Sequence, residues 1–205
     1  TLKFAIIVFF PLTLCSQIQT PLDTIGEIAA NQDAEIKYNE AVLKLMQDDD
    51  KDAAIKLFNE ALKIKPSLDK AWYNIAYIKY QAGEYAIAEE NFSQAIKHSP
   101  SSLFYFGRGL SRFQLKNFDA AEADFNEAVK LDNNNSMAFY YLGACDFLNK
   151  KYEQAISFYN SAINLDKEFA FAYNDRGLAY FRLGNYSNAA DDFAQASKLK
   201  ANSTY

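Results

Sequence analysis

Apolar and small residues return to the same places five times between Glu35 and Lys200, with a period of about 34 residues that is typical of helical repeats. Take Glu35, Asp69, Ser102, Ser136 and Ala170 as the first residues of the copies. Three of the intervals are then equal, and the one from Asp69 to Ser102 is shorter by one. Position eight reads Val42, Ala76, Gly109, Gly143, Gly177, and position twenty reads Ala54, Ala88, Ala121, Ala155, Ala189. Position twenty-four reads Phe58, Phe92, Phe125, Tyr159, Phe193, and position twenty-seven is always alanine, from Ala61 to Ala196. Small residues at positions eight and twenty let two helices of one unit approach closely, and the aromatic at twenty-four fills the space beside them. Such a unit cannot bury its apolar face alone, so the copies must stack.

Each copy is therefore predicted to be a helical hairpin. In the second copy, helix A runs from about Asp69 to Ala82 and helix B from about Glu84 to His98. Gly83, and Gly184 in the fifth copy, stop helix A because glycine tolerates the left-handed conformation such a stop requires. The other copies carry Asp49, Lys116 and Lys150 there, which costs a few tenths to ~1 kcal/mol if the conformation is kept. Pro66 and Pro100 end B helices and turn the chain onward, and Asn133-Asn134-Asn135 does so with turn-forming amides.

The second copy holds the fullest set of recurring residues: Trp72, Ile75, Ala76, Gly83, Tyr85, Ala88, Phe92, Ala95 and Pro100. In register across five copies, this set resembles the tetratricopeptide repeat family. The resemblance implies an all-α, right-handed superhelical solenoid of five stacked helix-turn-helix units, ten helices in all. It also implies that A helices line a concave groove through positions two, five, six, nine, twelve and thirteen. On that frame the second copy offers Tyr73, Asn74 and Tyr77, and the third Phe106, Leu110 and Phe113. The fourth offers Tyr140, Tyr141 and Phe147, and the fifth Phe171 and Asn174 with Asp175, Leu178, Phe181 and Arg182. Tyrosine is ordinary for this repeat at positions five and twelve, so part of the set is expected to pack between helices. The rest predicts an exposed apolar stripe that binds a peptide or partner protein. The Lys, Asn and Arg clamp of chaperone-tail-binding members has no matching set: positions five and nine read Asn39 and Leu43, Tyr73 and Tyr77, Phe106 and Leu110.

Charge adds a second pattern. Position seven is Ala41, Ile75 and Leu142 in three copies but Arg108 and Arg176 in the other two. Position twenty-three is aspartate in those same two, Asp124 and Asp192. The charges arrive together, so Arg108–Asp124 and Arg176–Asp192 ion pairs are expected between the helices of one hairpin. At the ends, Lys37 stands at position three and Ser197 at position twenty-eight, where inner copies are apolar. Polar outer faces on the first and last copies are expected.

Composition narrows the function. Half of the 205 residues are hydrophobic, the formal charge is −5, and no basic face for nucleic acid is visible. His98 is the only histidine, so no catalytic set with a second His can be assembled, and no Cys/His spacing suits zinc. Asp48-Asp49-Asp50-Lys51-Asp52 lacks the Gly and terminal Glu of a calcium loop. A non-enzymatic scaffold without cofactor or metal is the expectation.

Residues 1–16 differ in kind. Lys3 precedes an unbroken apolar run from Phe4 to Phe10, then Pro11 and Leu12-Thr13-Leu14-Cys15-Ser16. This looks like a secretory signal peptide and is short of the about 20 residues a membrane span needs. Two routes of processing fit: cleavage after Ser16, or lipid attachment at Cys15. The first is preferred because Leu14 stands where a lipobox expects a small residue. Either route exports the chain to the periplasm or envelope of a bacterium, touching the membrane only through this segment or the lipid. Residues 17–33 read as a linker containing Pro21 and Gly26, and 201–205 as a tail. Self-association stays open. So does a second reading, the sensory or regulatory portion of a larger signalling protein.

Overall fold

The computed structural model describes residues 22–202, with side chains from 26 to 200. The segment read as a signal peptide, Cys15 included, lies outside the described residues. Ten α-helices and no strands are found among the described residues. The chain divides into two compact units, the first up to Pro100 and the second from Ser101. The division falls at the end of the second copy, the short one.

In the first unit, α1 (Leu22–Leu43), continued by a π-helical turn at Lys44–Asp48, pairs with α2 (Lys51–Ile64), and α3 (Asp69–Gln81) pairs with α4 (Tyr85–His98). In the second unit, three hairpins follow: α5 (Ser102–Gln114) with α6 (Phe118–Leu131), α7 (Ser136–Leu148) with α8 (Tyr152–Leu165), and α9 (Ala170–Arg182) with α10 (Tyr186–Asn202). Helices α3, α5, α7 and α9 begin on the first residues of the second to fifth copies.

Each hairpin turns through one left-handed residue at position fifteen. Its φ is 78° at Gly83 and 77° at Gly184, and also 49° at Asp49, 62° at Lys116 and 61° at Lys150. The turn geometry is thus kept where glycine is absent, and three copies hold a non-glycine residue in a conformation it disfavours. Side-chain caps are sparse: Asp50 accepts from the Ala53 N–H at 3.0 Å and Asn135 from the Ala138 N–H at 2.9 Å.

Within a hairpin the small residue at position eight meets the ring at position twenty-four. A methyl group on Gly109 would lie 2.7 Å from the Phe125 ring, one on Gly143 2.7 Å from Tyr159, and one on Gly177 2.9 Å from Phe193. The glycines are what let these rings lie flat on the A helix. In the first unit the core is built instead around Tyr38, Val42, Phe58, Leu62, Ala71 and Ile75, all buried.

One boundary differs from the sequence expectation. Residues 22–33 read as linker in the sequence, yet α1 starts at Leu22, directly after Pro21. Glu27, Ala29, Ala30 and Gln32 suit a helix interior. Of its described side chains, 26–33, most are exposed, so they leave no apolar periodicity to read.

Candidate functional site

Arginine and aspartate at positions seven and twenty-three meet across the hairpins. Arg108 donates from Nε to Asp124 Oδ2 at 2.9 Å and from Nη2 to Oδ1 at 2.7 Å, and Arg112 adds a third bond to Oδ2 at 2.9 Å. Arg176 grips Asp192 in the same two-pronged way, at 2.8 and 2.6 Å, and reaches Asn160 with its remaining nitrogen. Both aspartates are buried. Hydrogen bonding to Asp192 holds the Arg176 guanidinium above its ordinary range. Arg112 and Asn160 are partners that the covariation of two positions did not reveal. For Arg112 the signal was present, a second arginine one helical turn after Arg108.

The candidate groove residues separate into core and surface. Tyr73 and Asn74 are buried, as are Phe106 and Leu110. Asn74 donates to the Tyr38 hydroxyl at 2.9 Å, and Tyr73 packs on Phe92 and Tyr77. These four are interior residues and fall in the part of the set that packs between helices, outside any exposed stripe. Each belongs to an A helix that another helix of its unit covers. Tyr77, Phe113, Tyr140, Tyr141, Phe147 and Asn174 are partly buried.

Tyr141 shows how the covering works. Its ring lies 6.0 Å from Phe106, 5.3 Å from Phe113, 5.3 Å from Phe125 and 5.2 Å from Tyr140. It carries α7 onto the preceding hairpin. Tyr140 packs on Tyr159 and Phe169, and its hydroxyl donates to Asp175 Oδ2 at 2.7 Å. Asn174 donates to the other oxygen of the same carboxylate at 2.9 Å. Burial, then the Asp175 charge, pushes the Tyr140 hydroxyl well above its ordinary range. Replacing Phe106, Tyr140 and Tyr141 together would dismantle packing between hairpins, so that triple change cannot report on binding.

Apolar surface remains at the fifth copy. Each hairpin pairs the ring at position twelve with the ring at position seventeen where both are aromatic: Tyr80–Tyr85, Phe113–Phe118, Phe147–Tyr152 and Phe181–Tyr186, with centroids 5.3 to 5.4 Å apart. The first three pairs are partly buried. In the last, Phe181 is 53% and Tyr186 65% exposed. Phe171, 61% exposed, and Leu178 continue this face along α9, and Lys200 Nζ lies 5.6 Å over the Phe171 ring. In the last copy Ser197 is exposed, as expected, beside exposed Asn188, Asp191 and Lys198 of α10. The A helix of that copy is apolar outward.

Clefts open on the described part of the first unit. One, of about 220 Å³, is lined by Tyr77 with Leu45, Asp49, Lys51, Ile78 and Gln81. Another, of about 440 Å³, is lined by Glu40, Leu43, Lys44, Gln47, Asp48 and Leu57. Among the described residues, no three His, Cys, Asp or Glu side chains converge as metal ligands, and no helix is long and apolar enough to cross a membrane. Burial, helped by the charges of Glu122 and Asp146, pushes the Cys145 thiol up to about 12, so it is protonated at neutral pH.

Tandem hairpins, each closed by a small residue against a ring, define a helical-repeat protein. The chain belongs to the tetratricopeptide repeat family. Family models described as tetratricopeptide repeat match residues 34–68, 73–136 and 170–203, and one described as TPR repeat matches 146–184. The chain is similar to TPR repeat-containing protein MJ1428 of Methanocaldococcus jannaschii, 29% identical over 100 residues that make up 49% of this chain and 18% of that protein. It is also similar to a UDP-N-acetylglucosamine–peptide N-acetylglucosaminyltransferase of Giardia intestinalis, 27% identical over 110 residues, 53% of this chain and 7% of the enzyme. The chain thus spans less than a fifth of the length of either relative. Among solved structures, MamA superposes with a TM-score of 0.74 at 23% identity, covering 78% of this chain and 95% of MamA. YrrB, described as a TPR protein with an unusual peptide-binding site, does so with a TM-score of 0.74 at 20% identity, covering 88% and 93%. At these identities the likeness is one of fold.

Proposed function

We propose that this chain is a non-enzymatic scaffold that binds a protein or peptide partner on the apolar face of α9, and that it works in the envelope of a bacterium. The observation that carries the binding is the exposure of Phe171, Leu178, Phe181 and Tyr186 on one hairpin. Large apolar side chains clustered at the surface lower their free energy by docking, and a few buried rings supply most of the affinity of such contacts. The peptide-binding site described for YrrB is consistent with this use of the fold. Export rests on Lys3 and the apolar run Phe4 to Phe10.

Capture from envelope extracts tests the binding. The double variant Phe171→Glu/Phe181→Glu loses the retained partner while its circular dichroism stays that of the parent, because both side chains are exposed. Unchanged capture would overturn the assignment. For export, residues 1–33 fused to a reporter active only outside the cytoplasm give activity, and an inactive fusion removes the envelope reading. The mass of the mature N-terminus distinguishes cleavage after Ser16 from lipid on Cys15.

A further inference from the structure

Two helices keep an open apolar stripe. On α9 it is Phe171, Leu178 and Phe181. On α1 it is Ile28, Ile36 and Leu43, prolonged by Met46 in the π-helical turn, with Leu43 51% and Met46 63% exposed. At the α-helical repeat Ile28, Ile36 and Leu43 fall within an arc of about 80°, as do Phe171, Leu178 and Phe181, the width of one docking face. Phe171, Leu178 and Phe181 hold the same repeat positions as Ile36, Leu43 and Met46.

The charges beside the stripes are opposite. The Met46 end of the first runs into the exposed acids Asp48, Asp49 and Asp50, of which Asp48 is held by Lys44 at 2.8 Å, and exposed Asp33 lies between Ile28 and Ile36. The Phe171 end of the second lies under Lys200, and the Phe181 end is followed by exposed Arg182. Antiparallel seating of α9 on α1 sets Lys200 against Asp48–Asp50 and Arg182 against Asp33. Seating α9 on another α9, or α1 on another α1, sets like charges together and is disfavoured. A helix, not an extended strand, suits this face. Inside the second unit the equivalent pair Phe113–Phe118 is covered by α7, whose Tyr141 ring lies 5.3 Å from Phe113.

We infer that the partner seated on α9 is α1 of a second copy of this chain, packed antiparallel and fixed in register by acid–base contacts at both ends. This rests on α9 being the interaction surface proposed above. The contact is heterologous, joining two different faces, so association continues past the dimer unless it closes into a ring.

Sedimentation velocity over a concentration series tests it. The parent chain gains mass with concentration, and less so at high salt, because the end contacts are screened. Phe171→Glu/Phe181→Glu and Leu43→Glu/Met46→Glu are each monomeric alone. Mixed in equal amounts they form a one-to-one dimer and nothing larger, since each keeps the face the other lacks. Lys200→Glu weakens association at least about tenfold, the scale of a reversed contact, and Asp49→Lys in the same chain restores it. Lysine is already tolerated at that left-handed position in Lys116 and Lys150. Should either apolar variant lose helical content, this exposed charge swap decides in its place.

A parent chain that stays monomeric throughout overturns the inference. So does association that survives Leu43→Glu/Met46→Glu. If the chain is monomeric but the α9 variant still loses a captured partner, self-association fails and the scaffold reading stands. If that variant loses neither, both fall.

Discussion

The first unit closes its hairpins over methyl groups, and the second closes them over bare backbone. Position eight is Val42 and Ala76 in the first and Gly109, Gly143 and Gly177 in the second, where the rings of Phe125, Tyr159 and Phe193 take the space a Cβ would need. The polar parts differ as well. Every arginine of the chain, Arg108, Arg112, Arg176 and Arg182, lies in the second unit, and two of its aspartates are buried under guanidinium groups. The first unit pairs lysine with glutamate or aspartate at the surface, as in Lys37–Glu40 and Lys44–Asp48. One repeat pattern thus admits two ways of joining helix A to helix B. The apolar way tolerates change in small steps. The other depends on partners that cannot be removed singly, because a buried charge left alone has no solvent to turn to.

The largest expected contrast tests that dependence. Asp124→Ala removes the buried carboxylate that Arg108 and Arg112 share and lowers stability by about 3–5 kcal/mol in urea unfolding, whereas Glu40→Ala in the first unit leaves the midpoint almost unmoved. A double-mutant cycle on Arg108 and Asp124 without coupling would show the two units to be alike after all. Next comes Gly143→Ala, whose new methyl meets the Tyr159 ring at 2.7 Å and the Ala155 carbonyl oxygen at 3.1 Å. Overpacking of this kind costs about 1–3 kcal/mol, despite the better helix propensity of alanine. At the same repeat position in the first unit, Ala76→Gly should also destabilise, by roughly 0.5–1 kcal/mol, through backbone entropy. Thermal melts of the two variants sharpen the comparison, since an Ala that stabilised position 143 would mean the ring is free to move aside.

Smaller effects have the opposite sign. Lys116→Gly and Lys150→Gly relieve left-handed lysines and raise stability by a few tenths to ~1 kcal/mol, while Gly83→Ala loses about as much. A loss in either lysine variant would mean that the turn is held by the side chain. Cys145 has no effect at neutral pH. Its thiol titrates near 12 in the fold against an ordinary 9, so the folded state keeps a proton that the unfolded chain releases. Its contribution is intact below pH 9 and is lost as pH rises from 9 to 12. Native alkylation at pH 8 is correspondingly slow, and Cys145→Ala flattens part of the alkaline slope. Rapid labelling of the native protein would place the thiol at the surface.

Much of the hairpin was legible because its causes are local and repeated. Five alanines at position twenty and five rings at position twenty-four name the helix–helix contact. The joint arrival of Arg108 with Asp124 and Arg176 with Asp192 names the pairs across it. The start of α1 was not legible. Residues 26–33 are largely exposed, and a helix that buries little leaves no periodic trace. The candidate groove was legible only as a register. Spacing put Phe106, Tyr141 and Phe171 on corresponding faces of their helices and could say no more.

What separated those three residues is the neighbour each meets. The amino-acid sequence by itself determined the helical hairpin, its phase and its internal partners, since periodicity and covariation act within a single repeat. Tertiary structure alone decided which rings are interior and which remain exposed. Exposure belongs to a pair of surfaces: Phe106 is buried with the Tyr141 ring beside it, whereas Phe171 stays 61% exposed with Lys200 of α10 over its ring.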